Sequence, residues 1–262
     1  ESPQEKASTG QYIPYPYLNE EDTQFAETLA AERTQWGVEH EAVVNESIDS
    51  SVLKEGIALK PHQDQGVRWM LAHSRAIEQT AESSDSDSHI SLRRGGVLLA
   101  DDMGLGKTIC VLSFIANHQA KLQSQNKNGA YLIVAPVSLL LNWKDELEKF
   151  IEHSELFNKV IVLHPDHQLD EYRVAPKSKD IFSEEDSTVK QLGLRTCSQA
   201  EFHDVAIDSP GNIVITNYDS IRSYRFSLCA AHWEILALDE AQVTKNPSTI
   251  TTACVKSLNA KF

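Results

Sequence analysis

Five short apolar runs constrain the fold of this chain most: "GVLLA" (96–100), "YLIVA" (131–135), "VIVL" (160–163), "IVIT" (213–216) and "EILAL" (234–238). Each is apolar at consecutive positions, so each predicts a strand buried on both faces rather than one with a side turned to water. Helical patterns separate them. From Thr108 to Ala120, Val111, Leu112, Ile115 and Ala116 share one face. From Ser138, a candidate N-cap, Leu139, Trp143, Leu147 and Phe150 form a stripe, with Lys144, Glu146 and Glu148 opposite it. Strands joined through helices pair in parallel, because a parallel pair needs a long crossover. The expected class is α/β, a parallel sheet with helices on both faces.

Composition sets the limits around that sheet. Hydrophobic residues make up 41% and charged residues 24% of the 262 residues, as in ordinary globular chains. No apolar run approaches the ~18 residues of a membrane span, so no membrane partner is expected. The opening "ESPQEKASTGQ" lacks the basic start and apolar stretch of a secretory signal and begins with Glu1. It reads as a piece of a longer intracellular protein, from a bacterial cytoplasm (nucleoid) or a eukaryotic nucleus. Four cysteines, Cys110, Cys197, Cys229 and Cys254, lie far apart with no CxxC pair, which argues against zinc and a disulfide framework and for a structural role.

The net charge of −14 speaks against nucleic acid until its distribution is examined. Residues 1–55 carry 12 acids and 3 bases, net −9, which leaves 26 acids and 21 bases, net −5, for all the rest. A region near neutrality can carry a local basic face. Residues 1–55 therefore read as a small acidic extension, partly helical from about Asp22 to Trp36, ahead of a lobe covering 56–262. Pro61 suits the first turn of a helix that continues with Val67, Met70 and Leu71 on one face. The Ser- and Asp-rich stretch 79–94 predicts a mobile loop, and 166–210, without periodicity, a surface insertion.

"LLADDMGLGKTICVL" (98–112) carries the first chemical signal. A strand, a loop and a helix start place backbone N–H groups around an anion at the positive end of a helix. Gly104 and Gly106 let the backbone approach phosphate oxygens, with Asp102, Met103 and Leu105 completing the loop. Lys107 would reach the β and γ phosphates, and the Thr108 hydroxyl would ligate Mg²⁺. Asp101 departs from the strict pattern, which has glycine there. The second signal is "LALDEAQ", an apolar strand ending in two carboxylates. Asp239 is suited to hold Mg²⁺, and Glu240 to position or deprotonate the attacking water.

"LKPHQDQGVRWM", "LLADDMGLGKT", "LIVAPVSLLLNWKDELEKF", "IVITNYDSI" and "ILALDEAQVTKNPST" together resemble, in order and spacing, the first RecA-like lobe of Swi/Snf-type ATPases of the second helicase superfamily. The resemblance spans about residues 56–250, and in that family an acidic pair replaces the glycine at 101. It implies that Gln63 reads the adenine edge, with Leu59, Pro61 and His62 shaping the pocket; a glutamine offers the donor and acceptor that adenine requires. It also implies that Ser138 and Asn142 in one segment, and Thr216 and Asn217 in another, contact a DNA strand. Trp143 is expected in the core rather than stacked on a base. Gln242 would link the nucleotide to an opposing lobe.

The resemblance further implies an ATP-driven translocase on double-stranded DNA that remodels protein–DNA complexes and needs a second RecA-like lobe to supply arginines across a cleft. Loss of such an arginine costs about 10³ to 10⁵ in rate, so the isolated lobe is expected to hydrolyse ATP hardly at all. The competing expectation is a strand-separating subunit of a restriction or repair helicase. Residues 1–55 are expected to offer a surface to other proteins, or to imitate DNA phosphate and restrain the lobe.

Overall fold

Alternate residues of a strand point to opposite faces of its sheet, so a run apolar throughout needs a packed layer on each side. The computed structural model describes residues 46–83, 95–102, 104–174, 193–199 and 205–262. Contacts divide the chain between residues 39 and 40, and every described residue falls in the second unit, His40–Phe262. The expected helix at 22–36 lies outside the described residues.

In chain order the elements are α1 (Pro61–Ser83), α2 (Lys107–Ser124), β1 (Tyr131–Val134), α3 (Leu140–Phe150), α4 (His153–Leu156), β2 (Lys159–Leu163), α5 (Leu169–Tyr172), β3 (Arg173–Val174), β4 (Gly193–Leu194), β5 (Asn212–Thr216), α6 (Tyr218–Ser223), α7 (Arg225–Ala230), β6 (His232–Trp233), β7 (Ile235–Leu238), α8 (Ile250–Lys256) and β8 (Asn259–Ala260). The central sheet has the order β2-β5-β1-β7, and every pairing in it is parallel. Tyr131 and Ile133 of β1, with Ile213 and Ile215 of β5, join one core together with Leu112 and Ile115 of α2 and Trp143 and Leu147 of α3. Leu132, Val134 and Val214, one residue out of phase, join a second core with Ile221 of α6, Leu228 of α7 and Val255 of α8. The two layers are those the apolar runs require.

One expected strand does not form. Residues 95–100 pair with no strand among the described residues, and Leu98 is 76% exposed, while Val97 and Leu99 lean on the first core. The flank of β7 is already occupied at its start by the C-terminal residues: Leu236 N–H donates to Phe262 O at 2.8 Å, and Phe262 N–H to Glu234 O at 3.1 Å. An extended segment without a ladder therefore rests one face on the core.

Three boundaries also differ from expectation. α1 continues through residue 83, so 79–83 is helical and only 84–94 lies outside the described residues. The stretch 166–210 is not purely superficial, because Leu169, Tyr172, Leu194 and Ile207 are buried in the second core. Residues 46–53, read from composition as part of the acidic extension, pack on the lobe: Val52 and Leu53 are buried in the first core, Leu53 bridges Ile151, and buried Glu46 pairs with Arg75 at 2.6 Å.

Candidate functional site

In a parallel sheet all strands end at one edge, and that edge collects the polar segments of this chain. Pro136–Leu139 follow β1, Asn217 follows β5, and Asp239 and Glu240 follow β7. The loop before α2 reaches the same edge. Gln119 near the far end of α2 accepts from Gly129 N–H at 3.1 Å and from the Tyr131 hydroxyl at 2.9 Å, fixing that end beside the start of β1. Lys107 lies 12 residues earlier, and at ~1.5 Å per helical residue this is about 18 Å further toward the strand ends.

The loop 101–106 approaches α2 through two glycines at positive φ, Gly104 and Gly106, each at 85°. Gly106 is the N-cap of α2 and supplies no side-chain cap, so among the described residues no side chain takes up the first-turn N–H groups. A Cβ on Gly106 would run into Gln63 Nε2; one on Gly104 would meet nothing within 4 Å. Lys107 Nζ donates to the carbonyl oxygens of Asp101 at 2.7 Å and Asp102 at 3.1 Å. An uncapped helix start with an adjacent ammonium fits a phosphate group. Buried Cys110, one turn further along α2, has its thiol pushed up to about 11 by burial and then by the charge of Asp101, so it behaves as a packed apolar group.

Gln63 is buried, and both ends of its amide are engaged: Oε1 accepts from Lys60 N–H at 2.9 Å and Nε2 donates to Leu105 O at 2.9 Å. His62 Nε2 lies 3.1 Å from the same Leu105 oxygen. The residue expected to face adenine thus ties α1 to the loop. Leu59 leans on the first core, Pro61 and His62 are exposed, and Asp102 and Leu105 are exposed. Met103 lies outside the described residues.

At the end of β7, Asp239 N–H donates to Val134 O at 2.8 Å, extending the β1–β7 ladder by one bond. Its Oδ2 accepts from the Trp143 indole at 2.9 Å, and its carbonyl from the Tyr218 hydroxyl at 2.7 Å. Oδ1 keeps no protein donor among the described residues, so the carboxylate has capacity for a cation. Glu240 is exposed and left-handed at φ 52°, an uncommon conformation for a non-glycine residue, and opens the 3-10 turn Ala241–Thr244. Exposed Gln242 donates to Glu240 Oε2. Burial, then the charges of Asp239 and Glu240, push the Tyr218 phenol up to about 12, which keeps it a donor at neutral pH.

The expected DNA-contacting residues divide into two kinds. Ser138 and Asn142 are exposed at the sheet edge. Ser138 is not a helix cap: it lies inside a 3-10 turn, Val137–Leu139, and α3 begins after Leu139 without a side-chain cap. Thr216 is fully buried, its hydroxyl donating to Leu163 O at 2.9 Å, and buried Asn217 caps α6 by accepting from Ser220 N–H at 2.7 Å. Their side chains hold the segment in place, and their carbonyl oxygens are taken as well, Thr216 O by Ala135 N–H at 2.9 Å and Asn217 O by Ile221 N–H at 3.1 Å. Among the described residues, Lys107 bonds to its own loop and Asp239 to Trp143, so the two halves share an edge without a direct contact. The bond from Trp143 was not anticipated from the sequence, although a buried indole N–H needs a partner and that need was the available signal.

A parallel α/β lobe whose polar segments gather at the carboxyl edge of the sheet is of the RecA-like class. Over 82% of this chain and 32% of the other, it superposes on the SWI2/SNF2 ATPase core of Sulfolobus solfataricus, solved in complex with dsDNA, with a TM-score of 0.52 at 23% identity. The SNF2-related domain model matches residues 62–261, and the chain belongs to that family. Zorya protein ZorD of Escherichia coli O139:H28 is 34% identical over 80% of this chain, and DNA excision repair protein ERCC-6-like 2 of Mus musculus 30% identical over 63%. Chromatin-remodeling ATPase INO80 of Arabidopsis thaliana is 28% identical over 83%. The chain spans 17%, 10% and 11% of the lengths of these three relatives, respectively. It is therefore an SNF2-related domain, similar in sequence to proteins named as chromatin-remodeling ATPases and DNA excision repair proteins.

Proposed function

We propose that this lobe binds Mg²⁺–ATP at the loop before α2 and drives translocation on double-stranded DNA together with a second RecA-like lobe. The reading is supported by the start of α2, which has no side-chain cap and stands beside the Lys107 ammonium, and by the Asp239 carboxylate at the end of β7, whose Oδ1 has no protein donor among the described residues. Lys107 leaves the carbonyls of Asp101 and Asp102 and turns to the β and γ phosphates, while first-turn N–H groups of α2 hold their oxygens. Thr108 and Asp239 would hold Mg²⁺, which would supply charge neutralisation on the phosphates. Glu240 orients a water and accepts its proton, and Gln242, bonded to Glu240, steadies that carboxylate.

Exposed Ser138 and Asn142 meet strand phosphates, and buried Thr216 and Asn217 hold the neighbouring turn in place. Contacts of this kind carry little sequence preference. The lobe alone lacks the arginines of a facing lobe in this reading, so it binds ATP and hydrolyses it very slowly. ATPase assays on the full-length protein with and without duplex DNA, paired with triplex displacement and strand separation, test the proposal. Duplex-stimulated hydrolysis with displacement and no unwinding is expected. Hydrolysis indifferent to DNA overturns the proposed coupling, and strand separation would favour the helicase alternative.

A further inference from the structure

Asp239 is fixed at three atoms by three different elements. β1 takes its N–H through Val134 O, Tyr218 at the start of α6 donates to its carbonyl, and Trp143 of α3 donates to its carboxylate. Trp143 is 4% exposed and Tyr218 8%. The two donors lie 96 and 21 residues from Asp239 in sequence, so the arrangement is a product of the fold. Among the described residues the other buried indole, Trp233 of the second core, spends its N–H on a backbone oxygen, Leu228 O, at 3.1 Å. Trp143 instead spends its N–H on a carboxylate at the functional edge, where a charged acceptor makes a stronger bond.

An aspartate at a strand end has a short side chain and two rotatable bonds. A donor at 2.9 Å on Oδ2 selects one orientation and turns Oδ1 toward solvent at the sheet edge. The donors are also neighbours of the exposed edge. Trp143 follows exposed Asn142 on α3, and Tyr218 precedes exposed Asp219 on α6.

We propose that Trp143 and Tyr218 are positioning residues for Asp239, which fix its metal-facing oxygen and tie that oxygen to the two segments that meet a DNA backbone. The inference rests on the nucleotide reading above. It gives a duplex seated on α3 and α6 a route to Asp239, through one indole to its carboxylate and through one phenol to its backbone carbonyl. Removing a group that orients a metal ligand typically lowers metal affinity or activity about 10- to 100-fold.

The test uses Trp143→Phe and Tyr218→Phe in the full-length protein, since each keeps an aromatic ring and loses the donor. The expected result is a 10- to 100-fold fall in duplex-stimulated kcat and a similar rise in the Mg²⁺ concentration for half-maximal mantATP binding. Mg²⁺-free mantATP affinity and duplex affinity should stay within twofold of wild type. A readout independent of activity comes from ¹⁵N-tryptophan labelling: the indole proton lost in Trp143→Phe should resonate downfield of a free indole and move upfield in Asp239→Ala. A merely structural role would lower the melting temperature without moving the Mg²⁺ midpoint. An unshifted midpoint in both folded variants, or an indole resonance indifferent to Asp239→Ala, overturns the inference. Should Trp143→Phe fail to fold, Tyr218→Phe and the indole resonance decide. Should the wild type hydrolyse no ATP, the functional reading fails while the indole resonance still decides the clamp.

Discussion

Gly106→Ala is the substitution whose cost follows most directly from the geometry of the loop. Gly106 stands at φ 85°, where an L-residue pays about 1–2 kcal/mol. Its new methyl group would overlap Gln63 Nε2 and approach Ile109 Cγ2 to 3.2 Å. Gln63 is long enough to swing away, but only by giving up its bond to Leu105 O, and a buried amide left unsatisfied costs roughly 1–3 kcal/mol. The total is about 2–5 kcal/mol. Gly104 shares the φ of 85° and has open space where a Cβ would go, so Gly104→Ala should cost only the first part, about 1–2 kcal/mol. Urea denaturation with constant m gives both values. In a Gln63→Ala background the overlap with the amide disappears and only the tight approach to Ile109 remains, so the excess cost of Gly106→Ala over Gly104→Ala should shrink. Equal costs for the two glycines in the wild-type background would refute the clamp of α1 on the loop.

Other expectations follow from single contacts. Glu78, which accepts from His118 and from Lys121, is held down to about 2 chiefly by His118, against an ordinary 4.5. Because its folded value is depressed, its contribution is complete above pH 4.5 and is lost as pH falls toward 2, so acid titration should destabilise wild type more steeply than Glu78→Gln over that window. Thr216→Val removes a buried hydroxyl bond and should lower stability by about 1 kcal/mol in denaturant melts while leaving duplex affinity unchanged. Ser138→Ala with Asn142→Ala should do the reverse, weakening duplex binding equally for all sequences in a fluorescence-anisotropy titration, with stability within ~0.5 kcal/mol. Leu147→Ala, in the fully packed stripe of α3, should cost about 2–5 kcal/mol.

The sheet was legible because the runs at 131, 160, 213 and 234 are apolar on both faces, and the structure places their alternate residues in two separate cores. The run at 96 has the same local pattern and forms no strand, since pairing depends on what occupies the neighbouring edge, and Phe262 holds that place beside β7. A boundary drawn from charge put residues 46–55 outside the lobe. Two apolar residues, Val52 and Leu53, and one long-range ion pair, Glu46 with Arg75, are enough to bring 46–53 inside, and average composition conceals all three. Parallel topology puts the residues that follow β1, β5 and β7 on one edge of the sheet, and the loop glycines were expected to stand near them. What local pattern does not encode is which donors serve them: Gln63 bonding to the loop, and Trp143 and Tyr218 bonding to Asp239.

The account depends on Lys107 and Asp239 serving one Mg²⁺–nucleotide, and equilibrium mantATP binding with and without Mg²⁺ measures this most directly. Wild type should bind more tightly with the metal, Asp239→Asn should bind equally with or without it, and Lys107→Ala should lose affinity in both conditions. Full Mg²⁺ enhancement retained in Asp239→Asn, or unchanged binding in Lys107→Ala, would contradict it.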